Sequence, residues 1–276
     1  MTTPDGVKLY TRKTGRGRAT LIVPLDYVFF DEFRQLGDVA TVITYDMRNR
    51  GRSTRSADKS TWTIEQDVRD LESVRAHYKL EQFIPVGFSY LGKMVMIYAA
   101  THPERVSRVI QLGPAANRML APGPADRDFG ASAADVERWQ EMRAEGAEQK
   151  SPRDYCIAQW NVLRHYMTGT AAGAARFDVA GSCALENEWP VNTNPVFAEL
   201  LKHPRVLTPE ELKKISMPVL TIHGTKDRTA PYEGGKAWAA EVPNGRLITV
   251  EGAAHMLWLD DPMTMFSAIR QFIRGE

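Results

Sequence analysis

Three residues in this chain have the types and the order needed for nucleophilic acyl chemistry: Ser89, Asp227 and His255. Ser89 lies in Ile84-Pro85-Val86-Gly87-Phe88-Ser89-Tyr90-Leu91-Gly92, between a short apolar run and a helical pattern, with glycines two positions before it and three after. A serine on so sharp a turn presents its hydroxyl above a sheet edge, and N–H groups at the helix start can stabilise an oxyanion. A serine at a strand-helix junction also serves as a plain helix N-cap, and the motif alone leaves both readings open. Asp227 follows an apolar run in Gly224-Thr225-Lys226-Asp227, and His255 follows the last such run in Gly252-Ala253-Ala254-His255. A hydroxyl needs a neighbouring base to become a nucleophile, and the imidazole needs an acid that fixes its tautomer and stabilises its cation. Ser89, His255 and Asp227 fit those three roles.

The remaining candidates read more plainly. His102, before Pro103, and His223, at a strand end, are expected to be structural, His77 and His203 solvated, and His165 part of a helical insertion. There is no phosphate loop, paired catalytic carboxylate or cluster with metal-ligand spacing. Gly15-Arg16-Gly17 lacks a third glycine and leads into a strand, so it is read as a hairpin-type turn and not as a dinucleotide site. No cofactor and no metal are expected.

The elements that must position the three residues alternate. Val7 to Arg12, Ala19 to Pro24, Val39 to Asp46, Gln82 to Val86 and Val106 to Leu112 read as strands, as do Pro218 to His223 and Arg246 to Val250. Helices are expected over Trp62 to Tyr78, Tyr90 to Thr101, Tyr232 to Glu241 and Pro262 to Ile273. In the first, Ile64, Val68, Leu71, Val74 and Tyr78 form one apolar stripe behind a capping box of Thr63 and Gln66. Such alternation implies an α/β fold, with a mostly parallel central sheet and helices on both faces. Parallel strands bring the three loops to one sheet edge, where ligands bind in open α/β sheets. From about Gly113 to Pro209 the strand signal disappears, which predicts an inserted helical cap at 115–208 between core segments 1–114 and 209–276. Thr208-Pro209-Glu210-Glu211 has the grammar of a helix start and closes the insertion.

Composition bounds the function. Over 276 residues, 43% hydrophobic and 25% charged is ordinary for a globular domain, which excludes disorder and low complexity. Lys and Arg total 35 against 34 Asp and Glu, so no long-range field would gather nucleic acid or an anionic membrane. A small-molecule substrate is the expected partner, and association with further copies of the chain is left open. The two cysteines, Cys156 and Cys183, form neither a disulfide framework nor a zinc motif and are read as reduced thiols. With no signal-peptide pattern at the start and no run of about 18 apolar residues, a soluble cytoplasmic protein is expected.

The order Ser, Asp, His and the turn around Ser89 resemble the α/β-hydrolase family over roughly residues 5–114 and 210–274. Tyr45-Asp46-Met47-Arg48-Asn49-Arg50-Gly51-Arg52-Ser53 looks like that family's "DxRGxGxS" turn, with Asn49 and Arg50 where two usual positions differ. Asp46 and Arg48 are read as holding the turn. Two departures stand out. Leu91 replaces the glycine usual two positions after the nucleophile, with Gly92 one place later. Ile22-Val23-Pro24-Leu25-Asp26-Tyr27 ends a strand where many relatives carry His-Gly and an oxyanion donor. The donors implied here are the backbone of Asp26 or Tyr27 together with Tyr90 N–H, provided the Asp26 carboxylate turns away. Cys183 to Pro190 is similar to caps of proline iminopeptidase-like relatives, in which acidic residues bind a free amino group. That likeness makes Glu186 and Glu188 substrate-binding candidates, while Trp160 and Trp189, with Tyr166 and Met167, would line an apolar pocket or pack as cap core. The resemblance implies a serine hydrolase acting on small carboxylic esters. An aminopeptidase-like amide hydrolase is one alternative, and a non-hydrolytic binding or lyase member is another. Dehalogenases and epoxide hydrolases place Asp where this chain has Ser89.

Overall fold

The alternation of short apolar runs with helical patterns folds into a seven-stranded sheet. A computed structural model describes residues 1–118, 128–202 and 204–276; His203 lies outside them. The strands are β1 (Thr11–Thr14), β2 (Ala19–Pro24), β3 (Ala40–Tyr45), β4 (Ile84–Phe88), β5 (Val109–Leu112), β6 (Val219–Gly224) and β7 (Gly245–Val250). Their spatial order is β1-β3-β2-β4-β5-β6-β7, and every pairing is parallel except β1 with β3. β5 and β6 are buried at every position, as a parallel sheet covered on both faces requires.

Three local expectations are corrected. The first strand is Thr11–Thr14, later than the 7–12 run. It pairs with β3 and not with β2, so the Gly15 to Gly17 segment is not a hairpin turn but a crossing over the β3 end. A Cβ at Gly15 would stand 2.3 Å from the Ala40 carbonyl oxygen and one at Gly17 2.2 Å from Val39, so close approach to that backbone explains both glycines. Finally, Thr63 accepts from Gln66 N, but the Gln66 side chain turns to Arg69 and Asp70, leaving half a capping box.

Helices α1 (Asp26–Phe33), α2 (Ile64–His77) and α3 (Tyr90–Thr101) belong to the first half of the core. α2 buries Ile64, Val68, Leu71 and Val74 as its stripe predicts. Between β5 and β6 the described residues contain helices and no strand: α4 (Ala133–Ala144), α5 (Ala147–Lys150), α6 (Pro152–Met167), α7 (Ala171–Arg176), α8 (Val179–Ser182) and α9 (Pro190–Lys202). The chain re-enters through α10 (Pro209–Lys214), with the full Thr208–Glu211 capping box. At the neck of the insertion, the Asn117 side chain donates to Leu207 O and accepts from Leu207 N, so the entering and leaving segments are stitched together. α11 (Tyr232–Glu241), α12 (Leu257–Asp260) and α13 (Pro262–Arg274) complete the core.

Cys156 on α6 and Cys183 after α8 form a disulfide, which corrects the reading of both as free thiols. They meet only because α6 and α8 pack together in the insertion; their spacing of 27 carried no such signal. The cysteines therefore no longer argue for a reducing compartment. Among the described residues, no helix is long and apolar enough to cross a membrane.

Candidate active site

Ser89 joins β4 to α3 with φ 55° and ψ −124°, a strained conformation for a residue with a side chain. The neighbouring glycines permit it. A Cβ at Gly87 would stand 2.1 Å from the Leu91 carbonyl oxygen, and one at Gly92 2.7 Å from Pro114 Cβ, so the helix can approach the strand closely although Leu91 is not glycine. The Ser89 N–H donates to Leu112 O on the neighbouring strand at 2.9 Å, which ties the turn to the sheet.

Asp227 follows β6, and His255 follows β7 by a glycine turn, Gly252 having φ +75°. His255 Nδ1 lies 2.7 Å from Asp227 Oδ2. Asp227 Oδ1 accepts from Thr229 N and Ala230 N at 2.9 and 2.8 Å, which fixes the carboxylate plane. Burial works to raise the Asp227 carboxyl, but the His255 charge, hydrogen bonds from His223 and His255, and the Ala230 N–H outweigh it and hold it at about 2. Asp227 is thus ionised at neutral pH and accepts from His255 Nδ1–H, which leaves Nε2 as the basic nitrogen.

The pair is supported by residues that sequence reasoning did not assign to it. His223, expected to be structural, directs Nε2 at Ala230 O (2.7 Å) and Asp227 Oδ2 (3.2 Å), so it is a second imidazole against the same carboxylate. Gly113, at φ +47°, passes so close that a Cβ would stand 3.2 Å from Asp227 Oδ2 and 3.4 Å from His255 Nδ1. The Asp260 carboxylate accepts from Ala254 N, Gly169 N and Thr170 N at 2.8–3.0 Å, binding the His255 loop to the end of α6. Phe88 packs on the His255 ring at 4.6 Å between centroids. Of these supporting residues only His223 was singled out from the sequence, as structural; the partners they meet are distant in the chain.

At the end of β2, Leu25 adopts φ 67° and ψ 61°, the left-handed conformation that glycine takes freely. α1 then starts at Asp26. The Asp26 carboxylate is fully buried and turned into the core, where it accepts from Arg12 Nε and Nη2 at 2.7–3.0 Å and from Thr44 Oγ1. Asp26 N–H has no partner among the described residues. Tyr27 is corrected as an oxyanion candidate: its N–H donates to Asp46 Oδ1 at 3.1 Å and its hydroxyl to Glu188 Oε2 at 2.5 Å. Asp46 also accepts from Arg52 N, and Arg48 makes a two-point pair with Asp70 at 2.6 Å, the turn-holding work expected of both. Asn49 takes φ 65° in that turn.

A cavity of about 780 Å³ lies over these loops, lined by Ser89, Tyr90, His255 and Leu25 from the core and by Trp160 and Glu188 from the insertion. Most of its wall is apolar, with Leu163, Met167, Phe177, Met256 and Trp258 prominent. Glu188 is already saturated: it accepts from Arg50 Nε and Nη2, from Gly51 N and from Tyr27. Glu186 is exposed, and neither it nor Trp189 lines the cavity; Trp189 Nε1 donates to Cys183 O.

The strand order, the turn at Ser89 and the Asp227–His255 pair define a hydrolase-type α/β scaffold, and the sequence matches the family model of the alpha/beta hydrolase fold over residues 26–262. The chain belongs to the α/β-hydrolase fold family. Proline iminopeptidase PfmaB of Pestalotiopsis fici is 23% identical to it over 251 residues, 88% of this chain and 85% of that one. The uncharacterized hydrolase YugF of Bacillus subtilis is 24% identical over 286 aligned positions, 99% of this chain and 96% of its own length. Among solved structures, the esterase EaEST from Exiguobacterium antarcticum superposes with a TM-score of 0.75 at 18% identity, over 99% of this chain and all of that one. Likeness at these identities establishes the fold and not the substrate.

Proposed function

We propose that this protein is a serine hydrolase that cleaves carboxylic esters through an acyl-enzyme. The observation that carries the reading is His255, paired with Asp227 at 2.7 Å, lining one cavity with a strained, strand-end Ser89. Ser89 Oγ attacks the ester carbonyl while its proton passes to His255 Nε2. The oxyanion forms against Tyr90 N–H, at the N-terminus of α3, and Asp26 N–H, at the N-terminus of α1. Collapse expels the alcohol, which takes the proton from His255. Water then gives a proton to His255 and attacks the acyl carbon, and the acid leaves as Ser89 recovers its proton.

The ester reading is preferred over the amine-anchored peptidase reading because Glu188 has no free acceptor edge and Glu186 lies outside the cavity. An α-amino group on the substrate would find no anchor in that pair. Labelling with a fluorophosphonate tests the chemistry: the expected adduct is on Ser89 and is lost in Ser89→Ala and His255→Ala. Turnover in Ser89→Ala falls by more than about 10⁴-fold. No adduct on the folded wild type would sink the hydrolase reading in favour of a binding module. A faster rate on an aminoacyl ester than on its des-amino analogue would restore the peptidase-like one.

A further inference from the structure

Beside Ser89 the cavity wall changes character. Asp67, on α2, is 7% exposed and lines the cavity, and its Oδ2 accepts from the Tyr90 hydroxyl at 2.9 Å. Its other oxygen, Oδ1, has no partner among the described residues. Arg48 also lines the cavity; its Nε and Nη2 are taken by Asp70, but its Nη1 is buried and unpartnered. A guanidinium N–H buried without a partner is costly, and a carboxyl oxygen with no protein partner on a cavity-lining residue is free to bind a polar group. None of the triad, oxyanion or cap-locking roles uses either.

We propose that Asp67, held by Tyr90, and Arg48 form a polar subsite of this cavity that takes a hydroxyl group of the substrate, so that the preferred ester is a hydroxylated one. This rests on the ester-hydrolase reading above. A hydroxyl both donates and accepts, so it can give its hydrogen to Asp67 Oδ1 and receive one from Arg48. Burial pushes the Asp67 carboxyl up to about 7, against the Tyr90 hydrogen bond, with Asp70 raising it and Arg48 and Arg50 lowering it. A hydroxyl suits that group in either protonation state. An ammonium would meet the charges of Arg48 and Arg50 beside a carboxyl that burial holds towards neutrality. A carboxylate would be repelled by Asp67 whenever that group is ionised. Arg48 is paired with Asp70 and Arg50 with Glu188. The apolar wall across the cavity takes the hydrocarbon part of the same molecule.

Matched ester pairs test the subsite: methyl 3-hydroxybutyrate against methyl butyrate, and 2-hydroxyethyl butyrate against ethyl butyrate, followed by acid release. In wild type, kcat/KM for the hydroxylated member of at least one pair is expected to exceed its partner by about tenfold, mostly through KM. Asp67→Asn, which keeps a donor and an acceptor, retains most of that ratio, and Asp67→Leu brings it to about one. Asp67→Ala serves the same purpose if the leucine variant does not fold. A wild-type ratio of one in both pairs overturns the proposal. So does a ratio that survives Asp67→Leu, or a larger preference for the matching 3-aminobutyrate ester. The same pairs titrated into Ser89→Ala by calorimetry read binding without turnover. Hydroxyl preference there, with no fluorophosphonate adduct on wild type, would keep the subsite while removing the hydrolase reading.

Discussion

The Asp26 carboxylate shows how one residue can occupy a position that looks wrong for its charge. Beside a developing oxyanion it would repel the transition state, yet its side chain points into the core and is neutralised by a two-point pair with Arg12. Arg12→Ala leaves that charge buried with Thr44 and the more distant Arg52 Nη1 at 3.6 Å. Because Arg12 is itself about a third exposed, the expected loss is about 2–3 kcal/mol, below the about 3–5 of a fully buried pair. Adding Asp26→Asn should restore most of it, as read from urea midpoints; an additive double variant would refute the pairing. Asp67 gives a pH signature. Its folded carboxyl titrates at about 7, against an ordinary value of 3.8. Between those values the unfolded chain releases a proton that the folded one keeps, so stability falls as pH rises through the window and the full cost is present above it. Asp67→Asn does not titrate. Its stability relative to wild type is therefore expected to improve between pH 4 and pH 8, and a difference independent of pH would contradict the buried, proton-holding carboxyl.

Elements carry the next level of constraint. β4, β6 and β7 end at the same edge of the sheet, with β5 between β4 and β6, but the loop after β7 needs a further anchor to hold His255 against Asp227. The Asp260 carboxylate, at the end of α12, gathers three backbone N–H groups from the His255 loop and the α6–α7 connection. Asp260→Ala removes all of these charge-assisted bonds at once. The expected result is a drop in kcat of about tenfold or more, following the cost of small displacements of catalytic groups, with the far-ultraviolet circular dichroism unchanged. An unaltered kcat would show that the Asp227 bond alone orients the imidazole. The Gly113 turn is equally intolerant: Gly113→Ala places a methyl against both members of the pair at a positive φ, and activity should fall more steeply than stability.

For the whole molecule, the insertion is held by two cross-links of different chemistry, one to the core and one within itself. Glu188 latches the insertion to Arg50, Gly51 and Tyr27 of the core, while the Cys156–Cys183 disulfide ties α6 to the segment that leads to Glu188. The wall carrying Trp160, Leu185 and Glu188 is thus set from both ends. For a closed loop of this size the disulfide is expected to contribute about 3–4 kcal/mol to the stability of the insertion. Reduction, or the paired change Cys156→Ser with Cys183→Ser, should lower the melting temperature and raise KM more than it lowers kcat, because Ser89, Asp227 and His255 all sit on the core. A fall in kcat at constant KM would contradict that division.

The sequence by itself determined the α/β alternation, because burial on both faces writes β5 and β6 as short, mostly apolar runs and the α2 face as a 3.6-residue stripe. It also determined the chemistry-bearing positions at strand ends, since glycines around Ser89 and before His255 mark turns that only small residues permit. The positive φ of Asn49 and Gly51 in the turn after β3 was not read from the sequence. Only the tertiary structure decided which partners these residues meet. Arg12 with Asp26, Asp67 with Tyr90, Asp260 with Ala254 and Gly169, and Cys156 with Cys183 join different elements, and packing, not chain periodicity, brings them together. The same holds for the crossing of β1 over to β3, which a turn signal at Gly15 could not distinguish from a hairpin: turn chemistry is local, and the choice of neighbouring strand is made by the whole sheet.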